Sequence, residues 1–168
     1  SGADITLFNG LFYYLEEYKE TISFWHFKDN RLKFIKSYDL PHSVGTFYGA
    51  ITQFLGFLHH DEEWKVMGWA PYGSPKYYKI MKKMYDFDKM ELNLDYFQHQ
   101  KGKFPWYSDK LINELGIEAR NKDSDFEQVY ADIAASAQKV LEKIVVTLAR
   151  EIKELTKFLN LNFEDALI

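Results

Sequence analysis

"FEQVYADIAASAQKVLEKIVVTLAREIKELTKFL", residues 126–159, carries an apolar stripe at Val129, Tyr130, Ile133, Ala137, Val140, Leu141, Ile144, Val145, Leu148, Ile152, Leu155 and Leu159. Steps of three and four are the helical period, and neither proline nor glycine interrupts them. The segment predicts one long helix or two nearly collinear ones. "NFEDALI" (162–168) then reads as a strand that the helix feeds. Upstream the pattern is different. "DITLFNGLFYYL" (4–15) sets Asn9-Gly10 between two apolar runs, a strong hairpin signal, and "TISFWHFKDNRLKFIKSY" (21–38) repeats it around Lys28-Asp29-Asn30. The expected fold class is therefore α/β, with N-terminal antiparallel hairpins followed by helices that include one long C-terminal helix.

Between these ends the helical period returns. From Ser43 the residues Phe47, Ala50, Ile51, Phe54, Leu55 and Leu58 recur at three and four, with Ser43 or Thr46 as the cap. In "EEWKVMGWAPYG" (62–73), Asp61 can cap a short helix whose acidic first turn suits the helix dipole, and Pro71-Tyr72-Gly73 ends it. "SPKYYKIMKKMYDF" (74–87) predicts a further short helix with Tyr77, Ile80, Met81 and Met84 on one side. "ELNLDYF" (91–97) alternates as a strand or extended segment would. "SDKLINELG" (108–116) has a cap in Ser108 and a stop in Gly116.

Composition narrows the function classes. A chain of 168 residues is about one domain, and at that size roughly 70% of the unfolded surface can be buried. Hydrophobic residues make up 46% and aromatic residues 18%, which excludes an acidic disordered chain and predicts a dense aromatic core. The formal charge of -4, with Lys and Arg scattered, gives no basic stripe for nucleic acid or an anionic membrane. Cysteine is absent, so there is no disulfide framework and no thiolate metal site. No signal-peptide pattern and no apolar run of spanning length occur, and the default expectation is a cytoplasmic home. The chain starts at Ser1 without Met and stops at Ile168 inside an apolar run, so an excised piece of a longer protein is expected. Apolar surface bared in that way would favour a homodimer.

Chemistry-bearing groups are few. "HHDEE" (59–63) gathers metal-capable side chains, but neighbours on a helix point about 100° apart, so His59, His60 and Asp61 cannot all face one ion. The residues read better as a solvated helix start, and no metal ligand is expected within the chain. No nucleophile elbow, P-loop or dinucleotide fingerprint is present. Asp86, Asp88, Glu91 and Asp95 lack the glycine and spacing of a calcium loop. In "PHSVGTFYG" (41–49), His42 precedes a helix start where bare N–H groups favour an anion, although a cap with two packing glycines explains the same residues. Glu63 and Lys65 lie two apart and do not face each other. Lys65 could meet a phosphate as a point charge and Glu63 could orient a sugar hydroxyl or act as a base, or both could sit outside a buried Trp-Met face.

Taken together, "DLPHSVGTFYGAITQFLGF" and "EEWKVMGWAPYG" resemble the carbamoyltransferase family of the NodU, CmcH and TobZ kind. Pro41, His42, Ser43, Gly45, Tyr48, Thr52, Leu55, Gly56, Phe57, Glu63, Lys65, Val66, Met67, Gly68, Ala70, Pro71, Tyr72 and Gly73 match the family pattern in order, and "ADIAASAQKVLE" (131–142) is similar to its D-[IL]-A-x-S-x-Q segment. Trp69 stands where leucine is usual and Glu62 where glycine is usual. The resemblance implies that residues 1–168 are a fragment of an N-terminal Kae1-like domain of ASKHA (actin-like ATPase) fold.

It further implies an ATP-dependent O-carbamoyltransferase. In such an enzyme the carbamoyl group passes from carbamoyl phosphate, through carbamoyl-adenylate, to a hydroxylated small-molecule acceptor. A divalent metal (Fe or Mg) and a C-terminal YrdC-like domain would belong to the full-length chain, and the fragment alone is expected to be inactive. Carried over residue by residue, Glu63 and Asp95 are the expected catalytic carboxylates, and His42, Ser43, Lys65, Gly68, Tyr72 and Gly73 the expected nucleotide or acyl-phosphate contacts. The alternatives are a noncatalytic interaction or packing module, and a Kae1-like factor of tRNA threonylcarbamoylation, whose residues do not include the K-V-M-G-x-A-P-Y-G run.

Overall fold

The computed structural model describes residues 20–28 and 30–158. The expected hairpin at Asn9-Gly10 and the expected strand after Leu159 lie outside the described residues. Within them the elements are β1 (Glu20–Lys28), β2 (Arg31–Asp39), α1 (Val44–Phe54), α2 (Glu63–Trp69), α3 (Tyr78–Met81), β3 (Tyr85–Asp86), β4 (Glu91–Leu92), α4 (Asp109–Leu115) and α5 (Gln128–Phe158). Single 3₁₀ turns at Ala70–Tyr72, Lys82–Met84, Leu94–Tyr96 and His99–Lys101 connect several of them.

The chain packs as two compact units, one formed from the N-terminal segment to Ser43 with the part of α5 from Val145, the other from Val44–Ile144. In the first, β1 and β2 pair antiparallel as expected, with Lys28 opposite Arg31 and Asn30 at φ 58° in the turn. Asparagine tolerates that left-handed conformation better than most residues. Ile22 and Phe24 are buried, and Phe24 meets Tyr38 edge-on at 6.1 Å. Lys36 and Tyr38 both bond the Glu151 carboxylate of α5, which gives this charge two partners.

In the second unit, α1 buries Phe47, Ala50, Ile51 and Phe54 completely. The helix stops at Phe54, earlier than the periodicity suggests, because the chain turns at Gly56 with φ 76°. A Cβ at Gly56 would also lie 2.7 Å from the Arg120 carbonyl oxygen, so the turn admits only glycine. Leu58 is consequently 57% exposed and is not part of the α1 stripe.

Several local expectations are corrected. Asp61 does not cap α2; Glu62 occupies the cap position and makes no side-chain cap bond. The helix expected over 74–87 is a single α-turn, Tyr78–Met81, continued by a 3₁₀ turn that buries Met84, after which Tyr85–Asp86 pairs with Glu91–Leu92. The alternating stretch 91–97 is extended only at that bridge and then coils at Leu94–Tyr96. Ser108 precedes α4 without capping it, since its hydroxyl donates to the Asp95 carbonyl, whereas Gly116 ends α4 in the left-handed region as expected.

The long helix is continuous, Gln128–Phe158, and Ala131, Ile133, Ala134, Ala137, Val140, Ile144 and Leu148 form its buried side. Val145, a member of the sequence stripe, is 54% exposed. Among the described residues no helix is long and apolar enough to cross a membrane. Ile133→Ala should therefore cost about 2–5 kcal/mol in urea unfolding, and Val145→Ala under about 0.5 kcal/mol. Equal effects would place the core on the wrong side of α5.

Candidate functional site

Residues 55–77 of the second unit form a helix and two loops whose backbone is tied at both ends. At the entry, Arg120 N–H donates to Phe54 O (2.8 Å), and its guanidinium bonds the carbonyls of Leu55 (3.3 Å) and Ser124. The guanidinium carbon sits 5.6 Å from the Phe57 ring centre and 5.1 Å from that of Trp69, and the two rings meet edge-on at 4.9 Å. Trp69, where the family pattern has leucine, thus gives the cation an aromatic wall and also packs on Phe126.

The two glutamates at the start of α2 hold the preceding loop. Glu62 accepts the Leu58 N–H (2.8 Å) and Glu63 accepts the His60 N–H (2.5 Å). Glu62 also pairs with Lys65, and this ammonium together with the Leu58 N–H keeps the Glu62 carboxyl below its ordinary range. Lys65 lies over Phe57 (5.4 Å) and Trp64 (5.6 Å). Its partner is Glu62, three residues back, as the helical period requires, and Glu63 turns toward the histidines. The outer side of α2 is open: a Cβ at Gly68 would meet nothing within 4 Å, and Trp64, Met67 and Tyr72 are 65%, 55% and 72% exposed.

At the exit, Gly73 rests on α5 so closely that a Cβ would lie 2.0 Å from the Ala131 carbonyl oxygen, a distance no side chain can occupy. The Asp132 carboxylate, 3% exposed, receives the Ser74 N–H (2.8 Å), the Ser74 hydroxyl (3.4 Å), the Gln128 amide (3.2 Å) and the Lys76 ammonium. Gln128 also donates to Tyr72 O (2.8 Å). One turn along, the Ser136 hydroxyl accepts the Tyr77 N–H (3.0 Å) and donates to Asp132 O (2.6 Å). Farther along, Gln138 accepts the Tyr48 hydroxyl proton (3.0 Å). The D-x-x-x-S-x-Q positions of α5 therefore hold both of the other family-like segments. Burial pushes the Asp132 carboxyl upward, but Lys76, the Ser74 N–H and Gln128 outweigh it and bring it down to about 2.

The expected site residues divide into three sets. Glu63, Lys65, Gly68, Tyr72 and Gly73 share the α2 segment. Asp95 sits on the turn Leu94–Tyr96, is 72% exposed and pairs with Lys110 (2.9 Å); among the described residues no hydrogen bond or ion pair links it to Glu63. His42 and Ser43 belong to the hairpin unit, where the His42 N–H donates to Asp39 O (3.1 Å) after a cis Leu40–Pro41 peptide. The sequence alone gives Asp132, Ser136, Gln128 and Arg120 no individual role. The i, i+4 spacing of Gln128, Asp132 and Ser136 along the start of α5, two of them inside the family-like segment 131–142, is the available signal for three of them, whereas nothing local marks Arg120. Among the described residues no three His, Asp or Glu side chains converge as metal ligands.

Residues 17–164 match the family model for the carbamoyltransferase N-terminus. The chain belongs to the carbamoyltransferase family. An uncharacterised Synechocystis protein is 36% identical over 138 residues, 80% of this chain and 22% of its own length. The nodulation protein NolNO of Sinorhizobium fredii is 34% identical over 116 residues (68% of this chain, 15% of NolNO), and NolO of Bradyrhizobium diazoefficiens 32% over 123 residues (71% and 20%). The chain thus spans about a fifth of the length of the curated relatives it matches.

Asp132 gives the segment a measurable pH signature. Its folded value of about 2 lies below the ordinary 3.8, so its stabilising contribution is complete above the unfolded value and is lost as pH falls through the folded one. Because Lys76 is open to solvent, the contribution is roughly 1–2 kcal/mol. Between pH 5 and pH 2 the wild type should lose about that much more unfolding free energy than Asp132→Asn, as measured by urea titration at each pH. Parallel curves would remove the Asp132 cluster from the stability of the loop.

Proposed function

We propose that this chain is part of the Kae1-like, ASKHA-fold N-terminal domain of an ATP-dependent O-carbamoyltransferase. In this reading the full-length protein moves a carbamoyl group from carbamoyl phosphate, by way of carbamoyl-adenylate, to a hydroxyl of a small-molecule acceptor, with a C-terminal YrdC-like domain supplying the adenylation. The observation that carries it is the convergence of the family-like segments: Asp132 and Ser136 fix residues 73–77, and Gln138 fixes Tyr48. Packing alone does not require two buried polar side chains on successive turns of one helix, Asp132 and Ser136, to hold the backbone of a loop, and such a fixed loop suits the presentation of backbone to a ligand.

Within that function α2 is the working element. Lys65 is the cation offered to a nucleotide or acyl phosphate, and its pairing with Glu62 keeps it oriented until an anion replaces the carboxylate. Gly68 and Tyr72 lie on the open side of the same segment, where bare backbone and a ring can approach the ligand. Glu63 shapes the His59–His60 loop through the His60 N–H. Asp95, paired with Lys110 on an exposed turn, would serve an acceptor only by leaving that partner. The described residues do not offer a ligand set for a divalent metal, and no step assigned to them runs through one.

Turnover of ATP and carbamoyl phosphate by the full-length protein tests the reading. Lys65→Ala should lower kcat/KM at least tenfold, equivalent to about 1.4 kcal/mol of transition-state stabilisation. Normal turnover in the variant would remove Lys65 from the site, and no turnover in the wild type with any hydroxylated acceptor would favour a noncatalytic module. The exposed Trp64, Met67 and Tyr72 would then serve a partner domain.

A further inference from the structure

Two lysines from separate elements meet on one aromatic ring. Phe87 sits in the turn between β3 and β4, where the Asp86 carboxylate accepts the Asp88 and Lys89 N–H groups (3.0 and 3.1 Å) and Met90 takes a left-handed backbone (φ 59°). Its ring is half-buried and packs edge-on against buried Tyr85 at 5.2 Å. The Lys143 ammonium of α5 lies 4.5 Å from the centre of this ring. The ammonium of exposed Lys82, on the 3₁₀ turn after α3, lies 6.0 Å from the same centre. One turn earlier on α5, Lys139 stacks on Tyr78 at 5.0 Å.

An aromatic face attracts an ammonium only modestly at an open site, whereas two ammonium groups brought to one ring repel each other. Lys143 is also half-buried, so its charge is short of water. Two charged groups face it from other elements, Lys82 from the 3₁₀ turn and Asp88 from the β3–β4 turn. Burial, followed by Lys82 as a hydrogen-bonding and like-charged neighbour, pulls the Lys143 amine below its ordinary value, and Asp88 opposes this without reversing it. Only the unprotonated amine carries a lone pair. A partly desolvated lysine beside a second cation is therefore the arrangement that makes an amine nucleophilic near neutral pH.

We propose that Lys143 is a site of covalent carbamoylation, its ε-amine adding to the carbon of isocyanic acid to give Nε-carbamoyl-lysine. The amine lone pair forms the new N–C bond and the C=N π pair moves to the isocyanic nitrogen. That nitrogen takes up the proton that leaves the attacking amine, so neither an oxidant nor a leaving group is needed. Isocyanic acid is released when carbamoyl phosphate breaks down in water. That Lys143 meets it from this source rests on the transferase reading, whereas the reactivity of the amine does not. The product is uncharged, and modification therefore ends the repulsion at Phe87.

Full-length protein is treated with potassium cyanate at pH 7, and the early rate at each lysine is read by peptide mass spectrometry. Lys143 should react at least about fivefold faster than Lys139. The ratio should shrink as the pH is raised toward about 10, because both amines then approach the neutral form. Lys82→Met keeps an unbranched stem and removes the second ammonium, and should shrink the ratio at pH 7. The exposed position tolerates that change. Differences in accessibility alone would respond to neither. Equal rates at pH 7, a ratio indifferent to pH, or a ratio unchanged by Lys82→Met would each overturn the site. The rates require neither ATP nor an acceptor, so a protein without carbamoyl turnover that still shows this ratio would strike the transferase reading and support the site.

Discussion

A carboxylate with almost no solvent must be neutralised by its neighbours, and Asp132 meets that requirement by reaching across to the loop after α2. Its partners, the Ser74 N–H, Lys76 and Gln128, come from both sides of the contact, so the charge is satisfied only when the loop is docked. Gly73 allows the docking by bringing backbone against backbone at Ala131. Removing the carboxylate would leave N–H groups unpaired, and filling Gly73 would push the loop away. Specificity of loop position, more than net stability, is what such a buried polar cluster provides.

The rest of the α2 segment follows from that anchor. With its exit fixed on α5 and its entry fixed by Arg120, the segment can keep apolar rings and an unfilled glycine on its open side. Those groups would otherwise seek burial. The glutamates at the start of α2 then turn back to the loop before it, and through that loop set the histidines against Trp106. One stretch of twelve residues, 62–73, is thus fixed by its carboxylates at one end and by a glycine at the other.

Much of the architecture could be read from periodicity alone. The β1–β2 hairpin, the start of α1, the Pro-Tyr-Gly end of α2 and the continuous α5 all follow from local patterns that tertiary contacts reinforce. The failures have physical causes. Leu58 fits the α1 period but lies beyond Gly56, whose left-handed turn is imposed by the approach of Arg120. Ser108 has the residue type of a cap, yet its hydroxyl finds the Asp95 carbonyl instead. Tyr77 to Phe87 has helical spacing, but only Tyr78–Met81 forms an α-turn before the chain pairs at Tyr85. In the candidate site, α2 was legible because its residues are consecutive. Asp132 and Arg120, some sixty residues away in sequence, were not, because their importance lies in contacts that only folding creates.

The Ser74 amide reports the central anchor most directly. Its hydrogen exchange at pH 7, followed by NMR in the full-length protein, should accelerate about 10- to 100-fold in Asp132→Ala relative to the wild type. The Arg120 amide, bonded to Phe54 O, should keep its protection. Equal protection of Ser74 in both proteins would contradict the claim that Asp132 holds the loop in place.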